Sequence, residues 1–153
     1  YWQNKVHVDT GVVDVALRRY RDSWGIRSTT LDARYRHELG NGWFAEPQWR
    51  GYRQSAADFY RPYLVEGSDY LSDVHAPTLA HASADPRLAG FKATTLGLKV
   101  GLELARGREL GLRLASYNQK VAPVQGAPGY LATVPLVDNL KATIVMLGYS
   151  HLF

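Results

Sequence analysis

Between Ser55 and Gly90 the sequence gathers Asp58, Glu66, Asp69, Asp73, His75, His81 and Asp85. Carboxylate and imidazole groups of this kind can hold a divalent cation. Their spacing follows no calcium-loop or other metal motif. The expectation is therefore a solvated acidic loop without a metal. A second group, Arg50, Arg53, Gln54, Asp58, Tyr60 and Arg61, stands where an alternating segment runs into that loop. Such charge at a pore mouth selects solutes; equally, Asp58 and the arginines could pin the loop by charge-assisted hydrogen bonds. A third group, Arg18, Arg19, Arg21 and Arg27, flanks Trp24 and Gly25. Guanidinium groups grip phosphates bidentately, so this rim could meet lipopolysaccharide; the plainer reading is a solvated rim. Catalysis would need a nucleophile and a base in one site. Ser55, Ser68, Ser116, His75, His81 and His151 are available, but no recognisable catalytic spacing joins them. Cysteine is absent, which removes thiolate metal sites, a cysteine nucleophile and disulfides. No enzyme activity and no cofactor are expected.

The elements that must carry these residues show period-2 alternation. Thr29, Leu31, Ala33, Tyr35, His37 and Leu39 alternate with Thr30, Asp32, Arg34, Arg36 and Glu38. After the turn Gly40-Asn41-Gly42, Trp43, Ala45, Pro47, Trp49 and Gly51 alternate with Glu46, Gln48, Arg50, Tyr52 and Gln54. This is a β-hairpin with turn residues that accept positive φ. Pro47 predicts a local irregularity in its strand. A second hairpin sets Leu96, Leu98, Val100, Leu102 and Leu104 against Lys99 and Glu103, turns at Arg106-Gly107-Arg108, and returns through Leu110, Leu112 and Leu114. Six strands are expected, over residues 4–21, 27–39, 43–55, 92–105, 109–119 and 141–153. Long loops join them over 55–90 and 120–140. Short turns fall at one end and longer loops at the other, the pattern of outer-membrane barrels with long extracellular loops.

The chain has 153 residues with a net charge of +4 and no clustered Lys/Arg stripe, so a nucleic-acid partner is not expected. No apolar run approaches the length of a transmembrane helix. Tyr (10) and Trp (4) outnumber Phe (4), which favours a boundary that is apolar on one side and wet on the other. Leucine, valine and alanine dominate one face of each strand, while the other carries charges of both signs. In a membrane barrel the apolar set faces lipid and the charged set fills the lumen. The candidate lumen and mouth constellation is Arg34, Arg36, Glu46, Arg50, Arg53, Gln54, Asp58, Arg61, Lys99, Glu103 and Arg113. The alternative is a soluble lipocalin-like barrel with the apolar set inside and a small apolar ligand.

The last segment resembles the C-terminal signature read by the outer-membrane barrel assembly machinery. Phe153 ends it, with Tyr149, Leu147 and Val145 at alternate positions and His151 a mild departure. More widely, the strings YRDSWGI (Tyr20 to Ile26), YRQSAADFYRPY (Tyr52 to Tyr63) and ADPRLAGF (Ala84 to Phe91) resemble the C-terminal part of an uncharacterised family of Gram-negative outer-membrane proteins, domain of unknown function 3570. The resemblance covers most of the chain. It implies a bacterial outer-membrane location, outer-membrane lipid and lipopolysaccharide as surroundings, and a link to envelope redox proteins. It also implies that these strands are the last part of a larger barrel, and it carries over no catalytic residues. The expected fold is thus an all-β, antiparallel, up-and-down transmembrane β-barrel. Six strands fall short of the usual eight of a closed barrel, and unpaired edges are not tolerated in lipid. The expected role is solute passage or scaffolding of an envelope complex.

Overall fold

Each alternating segment pairs with the segment next to it in the chain. The computed structural model describes all residues except 68, 72–75, 78–79, 106, 124–126, 128, 134–135 and 152–153. Its strands are β1 (Trp2–Val8), β2 (Gly11–Arg21), β3 (Arg27–Gly40), β4 (Trp43–Gln54), β5 (Tyr70–Leu71), β6 (Ala76–Pro77), β7 (Phe91–Ala105), β8 (Arg108–Val121) and β9 (Leu140–His151). Seven of them form one antiparallel sheet in the order β1-β2-β3-β4-β7-β8-β9, and β5 and β6 form a separate two-stranded ribbon. The all-β, up-and-down expectation holds. The sheet is open, with β1 and β9 at its edges.

The segment expected as one strand over residues 4–21 is two strands. The chain reverses at Asp9-Thr10, where Asp9 takes φ 37°, and β1 folds back on β2 with Val6 opposite Val13. The valines on both sides of the turn hid it, because they continue the alternation. The other tight turn behaves as expected: Gly40, Asn41 and Gly42 all take positive φ. The β3–β4 pairing runs to Arg34↔Gln48 and resumes at His37↔Ala45. The gap lies opposite Pro47, which has no N–H to give the ladder. On its other side β4 pairs with β7 without a break.

The turns after β1, β3 and β7 are short and share one end of the sheet. The β2–β3, β4–β7 and β8–β9 connections share the other. There the β2–β3 turn is closed by Asp22, whose Oδ1 accepts the amides of Trp24 and Ile26. The Asp58 amide donates to the Trp24 carbonyl, and the Trp24 and Phe59 rings meet edge-on at 5.6 Å. Gln54 Nε2 donates to the carbonyls of Arg87 and Ala89, and Ala57 and Ala89 are buried. The SAADFY string therefore ties the long loop down onto the end of the sheet.

Candidate functional site

Alternation sorts the seven strands' side chains onto two unlike faces. On one face stand Leu96, Leu98, Leu112 and Leu114, which are 58%, 46%, 45% and 50% exposed. On the other, the charged side chains of Glu46, Lys99 and Arg113 are only 17%, 25% and 25% exposed. Water-soluble sheets bury the opposite set.

The shielded face carries a belt of paired charges. Arg36 on β3 donates to Glu38 at 2.8 Å and to Glu109 on β8 at 2.9 Å. Glu109 also takes the ammonium of Lys99 on β7. Arg113 on β8 reaches Glu46 at 3.1 Å and Gln48 Oε1 at 2.5 Å, both on β4. Gln48 donates onward to Asp32, which also holds Arg34 at 2.8 Å. Adjacent strands stand about 4.8 Å apart, so a flat sheet would hold β3 and β8 about 14 Å apart. The Arg36–Glu109 pair therefore requires the sheet to curl toward this face.

Among the described residues Phe44 is the one large side chain that is fully buried, and it sits within the belt. The Arg36 guanidinium lies 3.5 Å from its ring centre, a cation–π contact. Gly101 stands directly opposite Phe44 on β7. A Cβ there would overlap the ring, and one at Gly111 would meet Lys99 Cε at 2.6 Å. Missing side chains at these positions give the belt its room.

Toward the long-loop end a cavity of about 420 Å³ opens on the same face, lined by Arg34, Arg50, Arg113, Tyr52, Tyr117 and Thr95 among others. Among the described residues no carboxylate lines it. Arg34 and Arg113 are each tied to a carboxylate. Among the described residues Arg50 has no ion-pair partner, which leaves its charge facing the cavity.

Of the expected constellation, Arg34, Arg36, Glu46, Lys99 and Arg113 come together in the belt. Arg50 borders it, and Glu103 shares the face but lies exposed and unpaired among the described residues. Gln54 and Arg61 serve the loop instead, Arg61 donating to the carbonyls of Asp58 and Tyr60. Asp58 does not pin the loop through its carboxylate, which packs against Gly25; its backbone makes the link. Arg53 is on the apolar face, next to Lys92. Of the rim arginines, Arg18 also parts from the rest. It lies 5.6 Å from the Tyr1 ring centre on the polar face. Sequence reasoning missed Asp32, Gln48 and Glu109, although their polar-face parity was readable. Among the described residues no three His, Asp or Glu are grouped to hold a metal. Asp73, His75 and Ser68 lie outside the described residues, as does Phe153. Val145, Leu147 and Tyr149 share one face of β9, an edge strand exposed on both faces.

In the mouth loop, Asp85 accepts from the Arg87 amide and ion-pairs with its guanidinium at 2.6 Å. The side-chain bonds to Arg87, and then the Arg87 amide, hold the Asp85 carboxyl below its ordinary range. Burial raises the Tyr60 phenol, whose Oη has no hydrogen-bond partner among the described residues.

These features define an all-β protein with one curled antiparallel meander, whose apolar face is exposed and whose charged face is sheltered. The chain matches the family model DUF3570, protein of unknown function, over residues 1–151. It belongs to that family. No curated protein and no solved structure matches it.

Proposed function

We propose that this chain forms part of the wall of a transmembrane β-barrel in the Gram-negative outer membrane, with the charged belt lining the passage of a solute. The observation that carries this reading is the inversion of faces. Leu96, Leu98, Leu110, Leu112, Leu114, Val145 and Leu147 are all 41% exposed or more. At about 1 kcal/mol forgone for each half-exposed side chain, water would forfeit an amount comparable with the roughly 5–15 kcal/mol that holds a domain folded. Lipid removes that cost. Strand length supports the same reading: β2, β3, β4, β7, β8 and β9 have 11 to 15 residues, and a tilted spanning strand needs about 9–11. A lipocalin-like barrel would need its apolar side chains on the shielded face, where this chain keeps its ion pairs.

In this reading the free edges of β1 and β9 pair with further strands of the assembled barrel, because lipid cannot satisfy backbone groups. Val145, Leu147 and Tyr149 are the surface offered to the barrel assembly machinery. The reading assigns no catalysis to these strands; an envelope redox partner would be served through transport or scaffolding.

Fractionation of cells expressing the full-length gene tests the reading, followed by electrophoresis of boiled and unboiled detergent extracts. Recovery from the outer membrane only with detergent, with migration that shifts on boiling, is expected. Recovery from the soluble periplasm would sink it. Leu98→Arg or Leu112→Arg should block insertion, since a midplane cation on the lipid face costs about 2–4 kcal/mol.

A further inference from the structure

Most cations of the exposed face stand at its long-loop end, with Arg108 on β8 at the other. In register across five neighbouring strands stand Arg19, Thr29, Arg53, Lys92 and Lys120. The next position toward the loops adds the opposed pair Arg21 and Arg27. Alternation places every Asp and Glu of these seven strands outside this face: Asp14, Asp32, Glu38, Glu46, Glu103 and Glu109 all have the other parity. Among the described residues, none of these cations makes an ion pair.

The position of the row along the strands is also informative. At the short-turn end the same face carries Trp43, Leu102, Leu110 and Tyr149 in register. From residue 43 to residue 53 along β4 the path is about 33 Å. With the usual tilt of about 40° this spans about 25 Å, the height of the apolar band of an outer-membrane barrel. The cation row thus sits one band height from the row that carries Trp43 and Tyr149, on the long-loop side. Between the sheet and the loop a groove of about 960 Å³ opens there, lined by Arg27, Arg53, Lys92 and Lys120 and by no carboxylate. Tyr60, with its unpartnered hydroxyl, lines it too.

From this we infer that the groove formed by Arg27, Arg53, Lys92 and Lys120 is a docking site for the phosphorylated headgroup of an outer-leaflet lipid. The inference rests on the membrane reading above and adds a ligand to it. Four cations without an ion-pair partner among the described residues would gather phosphate oxygens, the arginines bidentately. Pro62, Ala122 and Pro123 supply apolar surface beside them. The lipid's acyl chains would run down the leucine face below, so headgroup and chains are met by adjoining parts of one surface.

The test uses the full-length protein purified in mild detergent, with bis-phosphorylated lipid A as the probe and native mass spectrometry as the readout. The same lipid after phosphatase treatment, and the variant Arg53→Gln/Lys92→Gln/Lys120→Gln, are compared with it. Lipid A should be retained by the native protein. Retention should fall roughly tenfold or more in the variant or after phosphatase treatment, the equivalent of one lost charge-assisted contact. Heat-shifted migration of the variant shows that it is folded; if it is not, the single variant Lys92→Gln and the phosphatase comparison decide. Equal retention of the dephosphorylated lipid, or full displacement by millimolar inorganic phosphate, overturns the lipid site and leaves the barrel intact. Recovery of the protein without detergent overturns the membrane reading, and this inference with it.

Discussion

Arg36 and Glu109 stand on β3 and β8 with two strands between them, and their side chains meet at 2.9 Å. The pair closes a short path across the sheltered side of the curl. It also draws in Lys99, so one carboxylate answers two cations. In a sheet with few buried apolar side chains, this junction supplies cross-strand contact that hydrophobic packing supplies elsewhere.

Glu109→Gln should therefore destabilise the fold more than loss of a surface ion pair. Its side chain is 23% exposed, between the exposed and buried limits, so a cost of about 1–3 kcal/mol is expected. Denaturant unfolding of the refolded protein in lipid vesicles measures it. The double variant Glu109→Gln/Lys99→Gln should recover part of the loss, because one stranded cation is then removed as well.

Gly101→Val should fail in another way. The new side chain would occupy the space of the Phe44 ring, and overpacking of a filled site costs about 1–3 kcal/mol. Phe44→Leu in the same chain should restore some of the unfolding midpoint. An additive loss in the double variant would show that the two residues do not share that space.

Arg50 tests the proposed passage. Its charge faces a cavity with three arginines and no carboxylate, so conductance through the full-length protein in planar bilayers should favour anions. Arg50→Glu should shift the anion-to-cation permeability ratio roughly tenfold toward cations, as expected for a change of two charges a few ångströms from the path. The reversal potential in a salt gradient reads this directly.

Acid should loosen the mouth loop. The Asp85 carboxyl is held below its ordinary range by Arg87, so it binds a proton less readily folded than unfolded. A group depressed in this way contributes fully above its unfolded value, near about 4, and the contribution is lost as pH falls through the depressed folded value. Exchange of the Arg87 and Leu88 amides should quicken over that acid window. Asp85→Asn should remove the pH dependence and leave exchange fast throughout.

The strands were readable because period 2 is imposed by the backbone itself: Thr29 to Leu39 and Leu96 to Leu104 could alternate in no other regular structure. The turn at Asp9-Thr10 escaped because valines flank it on both sides. The belt was half readable. Arg34, Arg36, Glu46, Lys99 and Arg113 share one parity, which predicts a common face. Parity assigns Arg53 to the other face as well; grouping it with its neighbours in sequence, rather than by face, misplaced it.

The sequence by itself determined two unlike faces, the antiparallel order and the segregation of short turns from long loops, because each follows from local alternation and turn chemistry. Only the tertiary structure decided which face is sheltered, since period 2 has no inside or outside. Register, set by pairing between strands distant in sequence, decided that Arg36 reaches Glu109. It also decided that Phe44 lies over Gly101, and that Arg53, Lys92 and Lys120 form one row.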